Sequence, residues 1–434
     1  MNVRECIQAV TALAVLAWAS AASISAQTVA GPWVDAAEAR IDEHRKTDLR
    51  VIVLDDDGRG GQVPAIGATV RFEQLRHDFP VCVVMEAASV RGFDPEAPFF
   101  RALNAVSLRR LTAWPVVQPG GPDEFALEQV ETAVTWAEVF GLDVHWGGMI
   151  AADPAFQPQW AAALDHDARL RAAARYVDVV GWTFAGRLQS ASLYTHHVDQ
   201  PWLDEPGLRW LFNHAQTADA GFELRLGYEQ ALDDRRARAM LLDADAKAMG
   251  FVRSDGVSVT HAFGDRFVQG RLQRYVTRMA TLGQSVLLDG LEVGGGLLGP
   301  TRLEAALITL FAEPAVSGVY LDALTAGTAR EASSALLNAQ GDPTGHAMVV
   351  DRLFRERWWT DETIEADELG NARARVFAGH YRVTASLPDG RRFSSEVLVP
   401  RSDDERVVVL EPVWSDQKLH DTPGDASRIG AASR

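Results

Sequence analysis

Ser285-Val-Leu-Leu-Asp-Gly-Leu-Glu-Val293, a helix-forming stretch over 301–312, and Val316-Ser-Gly-Val-Tyr-Leu321 together decide the fold. The two outer runs are too uniformly apolar for strands with one wet face, so they read as strands buried on both faces. A helix between two such strands is the crossover of a parallel sheet. Working outward, the same alternation recurs. Further strand candidates are Val81–Met85, Ala105–Leu108, Leu142–Met149, Val179–Phe184, Phe222–Leu226 and Gly256–Val259. Helical spacing falls between them at 124–140, 165–176, 205–219, 230–249 and 266–282. Eight strands in about 240 residues predict an α/β fold of the (β/α)8 TIM barrel class. A doubly wound open sheet is the alternative.

The flanks are different. Residues 1–26 have the pattern of a signal peptide, with Arg4, an apolar run from Ile7 to Ser20, and small residues ending at Ala26. The apolar run is short for a membrane span, so none is expected once the signal is cleaved, and the expected location is secreted or periplasmic. Cys82 then remains alone, without a disulfide partner. Residues 35–78 read as a short helix (35–46) and a β extension with strands Leu49–Leu54 and Ala68–Gln74. The barrel takes 79–357 and closes with a helix over Met348–Arg357. A second β extension occupies 358–414. There Phe377–Leu387 and Phe393–Val399 flank the turn Pro388-Asp389-Gly390, and Val407–Leu410 is expected to pair with that hairpin. Residues 415–434 read as a loose tail.

The chain has 434 residues, is 47% hydrophobic, and carries a net charge of −17. Such a charge repels nucleic acid and anionic membranes, so neither is expected as a partner. The sequence offers no metal-ligand cluster and no cofactor motif. His196-His197 are adjacent and read as solvated loop residues, and Gly294-Gly-Gly296 reads as a turn, with phosphate binding the alternative.

Several segments in order resemble glycoside hydrolase family 10, the endo-1,4-β-xylanases. They are Ala39-Arg-Ile-Asp-Glu-His-Arg-Lys46, Gln74-Leu-Arg-His-Asp-Phe79, Pro158-x-Trp160, Arg175-Tyr176, Ser254-Asp-Gly-Val257 and Val286–Val293. The resemblance covers roughly residues 36–400 and implies a barrel acting on xylan by double displacement. Two carboxyl groups about 5–5.5 Å apart would carry that reaction. The same resemblance implies that both are missing. Anchored on Trp182, the acid/base position is Arg187, which cannot serve as a general base. The nucleophile position in Asp289-Gly290-Leu291-Glu292-Val293 is Gly290. Glu292 and Asp322 are the substitute carboxylates, and strand alternation predicts that Glu292 shares a face with Gly290 while Asp289 points away. Asp289, Glu292 and Asp322 facing Arg109, Arg110 and Arg187 would make a paired polar floor. Trp114, Trp146 and Trp182 are expected to line a ligand cleft together with Arg109, Arg110 and Arg187.

These expectations describe a secreted, catalytically inactive pseudo-glycosidase that binds a xylan-like polysaccharide or a cell-envelope component. Two alternatives stay open: an active hydrolase with relocated carboxylates, and a structural cell-envelope module with a plugged barrel mouth.

Overall fold

The protein was analysed as a computed structural model. The structure describes residues 29–411 apart from 60, 87–97, 197–201, 219–220, 222, 230–253, 265–266, 282, 295, 323, 326–328 and 330–333. The signal sequence, the helix expected over 230–249 and the tail therefore lie outside the described residues. The chain divides into two units. One comprises residues up to 46, 76–359 and 377–379; the other comprises 47–75, 360–376 and the residues from 380 on.

In chain order the strands are β1 (Lys46–Asp56), β2 (Gln62–Pro64), β3 (Thr69–His77), β4 (Val81–Val84), β5 (Ala105–Ser107), β6 (Asp143–Trp146), β7 (Ile150–Ala151), β8 (Ser190–His196), β9 (Glu223–Glu229), β10 (Gly256–Phe263), β11 (Ser285–Val293) and β12 (Val316–Leu321). The order β4-β5-β6-β8-β9-β10-β11-β12 closes because β12 pairs with β4, and every pairing is parallel. This is a closed eight-stranded parallel barrel. The short β7 continues the third strand and pairs with β8.

Alternation along each strand separates two environments. Val81, Val83, Val106, Val144, Val257, Val259, Val286 and Leu288 face outward into the main apolar core. Cys82, Ala105, Leu287 and Tyr320 form a separate small cluster within the ring, small residues set against large ones. The helices around the ring are α1 (Pro32–Arg45), α2 (Arg109–Thr112), α3 (Trp114–Val117), α4 (Glu128–Val139), α5 (Gln159–Ala162), α6 (His166–Thr183), α7 (Glu205–Ala218), α8 (Gln269–Ala280), α9 (Gly299–Phe311) and α10 (Gly345–Asp351). Beyond α10 the expected closing helix runs on as a π-helical turn over Arg352–Arg357.

One element differs from the sequence reading in a way that matters for the site. Val179–Phe184 is not the fourth strand but the last turns of α6, and the fourth strand is β8. Valines at 177, 179 and 180 favour a strand by propensity. Burial of Ala173, Tyr176, Val177, Val180, Gly181 and Phe184 follows helical spacing instead, and that burial prevails. Asp165 caps α6 by accepting from the Ala168 amide at 2.8 Å. Gly181 lets α7 approach, since a Cβ there would lie 2.8 Å from the Cβ of Ala218.

The second unit is built from β1, β2 and β3 together with β13 (Asp361–Glu365), β14 (Asn371–Phe377), β15 (Gly379–Ser386), β16 (Arg392–Val399) and β17 (Arg406–Leu410). Its two sheets have the orders β14-β1-β17, with β2 paired to β1, and β13-β3-β15-β16. Leu49, Val51 and Val53 of β1 pack in one core with Val70 and Phe72 of β3 and with Tyr381 and Val383 of β15. The expected hairpin at Pro388-Asp389-Gly390 forms between β15 and β16. Val407–Leu410, however, pairs in parallel with β1 rather than joining that hairpin. Its continuous apolar run fits either edge, and strands so far apart in sequence leave no local signal of their pairing.

Candidate functional site at the barrel mouth

Active sites of such barrels lie at the C-terminal ends of the strands. Beneath that face the ring is filled by a polar layer. The Asp289 carboxylate accepts from Ser107 Oγ at 3.3 Å and from Ser192 Oγ at 3.2 Å, and lies 3.3 Å from His145 Nε2. The other His145 nitrogen meets Ser190 Oγ at 2.7 Å, and Ser192 Oγ lies 2.8 Å from Ser258 Oγ, from which it can accept. All of these residues are buried. Burial alone would raise the Asp289 carboxyl, but His145 and Arg109 beside it, with the Ser192 hydroxyl, hold it below the usual carboxylate range. A buried carboxylate held by this many partners is a core element.

Asp289 thus faces the interior, in step with Leu287 and contrary to expectation, and alternation fails only beyond it. Gly290 is the cause. It adopts φ +108°, and the register with both neighbours slips there, so that Leu291, not Gly290, pairs with His261 and Leu321. The extra residue is a β-bulge. It puts Asp289 and Glu292 on the same side of β11, where strict alternation would separate them. Glu292 is buried and accepts from Ser334 Oγ at 2.6 Å.

Above this layer Arg109, just past β5, reaches across the mouth. Its Nη1 donates to the Asp289 carbonyl at 3.4 Å and lies 4.0 Å from Asp322 Oδ1, while its Nη2 is 3.8 Å from Glu229 Oε1. The side chain passes Gly147, whose missing Cβ would sit 2.7 Å from Arg109 Cβ, and ends at Gly290, whose missing Cβ would sit 2.5 Å from Nη1. Two glycines, one just past β6 and one on β11, make room for it. Arg110 donates to the Asp322 carbonyl at 3.2 Å, lies 3.4 Å from its Oδ1, and pairs with Glu86. The mouth therefore holds Glu86, Glu229, Asp322, Arg109 and Arg110 on the ends of strands one, two, five and eight. Sequence reasoning missed Glu229 and Glu86; their place at strand ends was the available signal.

The other candidates are distributed differently. Arg187 precedes β8 and is thus at the N-terminal end of the barrel, away from the mouth. It binds Glu131 Oε1 at 2.8 Å and Glu138 at 2.7 and 2.9 Å on α4, which lowers the Glu138 carboxyl. Hence Arg187 does not occupy an acid/base position; that assignment followed from placing Trp182 on a strand. The fourth strand, Ser190-Ala-Ser-Leu-Tyr-Thr-His196, still carries no carboxylate, and residues 197–201 after it lie outside the described residues. Trp114 and Trp146 are fully buried: Trp114 bonds Gln118 Oε1 at 2.7 Å and Trp146 bonds the Tyr176 hydroxyl at 3.2 Å. Neither can stack on a ligand. Trp182 is exposed, but on α6. His196 is buried between Tyr194 and Tyr228 rather than solvated, and His197 and Gly295 lie outside the described residues. Among the described residues no His, Cys, Asp and Glu group could hold a metal ion. No described helix is long and apolar enough to cross a membrane.

Comparison with solved structures places this architecture. A family 10 endoxylanase retrieved from a sugarcane soil metagenome superposes with a TM-score of 0.55 over 64% of this chain and 97% of its own, at 12% identity. Xylanase 10B from Thermotoga maritima gives 0.55, with 64% and 96% coverage and 14% identity. A thermostable mutant of the xylanase Xyn10A from Cellvibrio japonicus gives 0.54, with 64% and 97% coverage and 14% identity. The chain thus has a xylanase-like fold. No family model matches it, and no curated protein matches it.

Proposed function

We propose that this chain is a secreted, non-hydrolytic relative of the xylanase barrels, a pseudo-glycosidase whose mouth serves as a binding surface for a xylan-like polysaccharide or a cell-envelope component. The observation that carries the reading is Arg109. Its guanidinium takes the space beside Gly290 on strand seven, where the resemblance implies a nucleophile. A glycine offers no nucleophile, and an arginine there can neither attack nor accept a proton. Of the carboxylates at the strand ends, Asp322, Glu229 and Glu86 are each near Arg109 or Arg110, and Glu292 is buried against Ser334.

A second reading, hydrolysis by relocated carboxylates, draws support from Glu229, Glu292 and Asp322, each at the C-terminal end of a strand. Purified full-length protein assayed on xylan and aryl xylosides separates the two. The pseudo-glycosidase reading expects no turnover above a blank. Turnover abolished by Glu229→Gln, Glu292→Gln or Asp322→Asn would replace it with the hydrolase.

A further inference from the structure

Outside the mouth, helices α6 and α7 carry the two exposed tryptophans among the described residues, Trp182 and Trp210, which are 67% and 42% accessible. Asp178 and Trp182 lie one turn apart on α6, and Trp210 and His214 one turn apart on α7, so each pair shares a face. His214 Nε2 lies 2.7 Å from Asp178 Oδ1, and this contact joins the two faces. It and the Gly181–Ala218 approach put 178 level with 214 and 181 level with 218, so the helices run side by side in the same direction. Trp210 is then level with Ala174. Eight residues separate it along the helices from Trp182, a span of about 12 Å. The Trp210 ring stacks on His214 with centroids 5.0 Å apart, which fixes its orientation.

The geometry points to a surface site for a neutral polysaccharide chain lying across Trp182 and Trp210, with the part-exposed Asp178 carboxylate between them accepting from its hydroxyls. A pyranose ring has an apolar C–H face for an indole and a hydroxyl-bearing rim for a carboxylate. The span matches a short run of linked rings rather than a single sugar. A folded protein partner fits poorly: the exposed indole surface is at most about 270 Å², against about 800 Å² per partner in a standard interface. A polyanion is disfavoured by the net charge of −17. This site does not depend on how the barrel mouth is read.

The test is native affinity electrophoresis of the full chain in gels with and without soluble xylan. The wild type is expected to be retarded. Trp182→Ala and Trp210→Ala should each weaken retardation about 2- to 12-fold, the equivalent of one aromatic stacking contact, and the double variant should weaken it by the product of the two factors with an unchanged circular dichroism spectrum. In an Asp322→Asn background the two tryptophan substitutions should weaken retardation by the same factors, because the surface site and the mouth bind independently. A wild type that is not retarded, or a double variant retarded like the wild type, overturns the proposal. Retardation lost in Asp322→Asn but kept in the double variant would assign binding to the mouth instead. Light scattering that finds a dimer dissolved by the double variant would make this face a self-association surface, which also overturns it.

Discussion

Gly290→Ala is the sharpest probe of the mouth, because two separable costs meet at one atom. The backbone there has φ +108°, a conformation that side-chain-bearing residues adopt only under strain of about 1–3 kcal/mol. The new Cβ would also lie 2.5 Å from Arg109 Nη1 and 3.3 Å from Thr260 Cγ2. Arg109 must move, loosening its contacts with the Asp289 carbonyl, Glu229 and Asp322, at about 1–2 kcal/mol for charged groups this far from bulk water. The sum is a destabilisation of about 2–5 kcal/mol. Urea unfolding followed by tryptophan fluorescence measures it for the barrel, since every described tryptophan belongs to the barrel unit. Arg109→Ala frees the space, so in that background Gly290→Ala should cost only the backbone strain, and the double-mutant cycle should show coupling of about 1–2 kcal/mol. A cost below about 0.5 kcal/mol, or equal costs in both backgrounds, would refute the claim that Arg109 fills the place of a side chain at 290.

Three further outcomes follow from other contacts. His77 is buried among Phe311, Phe354, Trp359 and Phe377 and donates to the Trp358 carbonyl; burial is the main force pushing it down to about 4. The unfolded chain takes up this proton near pH 6.5 and the folded one near 4, so stability falls on acidification through that window by about 3 kcal/mol. The stability gap between wild type and His77→Gln should therefore narrow by that amount from pH 7 to pH 4; a constant gap would contradict a neutral buried imidazole. Gly181→Ala gains about 1 kcal/mol of helix propensity but forces a Cβ against Ala218, at about 1–3 kcal/mol. A net loss of melting temperature is expected, and a gain would mean that the helices do not approach as described. Arg187→Ala should cost only about 0.5–1 kcal/mol, as its partners Glu131 and Glu138 are substantially exposed. A loss of about 3 kcal/mol or more in urea unfolding would instead mark a buried pair.

The barrel was legible wherever burial on both faces left a continuous apolar run, as at Val316–Leu321, whose bounds the structure reproduces. It was illegible where residue type and environment disagreed. Val179 and Val180 look like strand residues, yet their side chains are placed by packing against neighbouring helices, and the misplacement carried Arg187 to the wrong end of the barrel. Period-two alternation also fails at Gly290, because a bulge shifts every residue after it. Glycine content hints at a bulge without giving its position. The burial of Trp114 and Trp146 had no sequence signal, since an indole serves core and cleft equally well. Arg109 and Arg110 were readable as mouth residues because the short run from β5 leaves them little freedom.

The β unit has a consequence for how the barrel unfolds. Its strands β1 and β3 come before the barrel, their partners β13, β14, β15 and β17 come after it, and the ladders between them join the two ends of the barrel's chain. While that unit stays folded, the barrel can open only as a closed loop of about 280 residues, as though a cross-link tied its ends. By the loop-entropy relation used for disulfides this restriction is worth about 5–6 kcal/mol. A chain whose one described cysteine, Cys82, is buried and free thus obtains from strand pairing the restraint that exported proteins commonly draw from disulfides. A fragment ending before β13 would lose it, and would leave β1 and β3 as open edges for other chains.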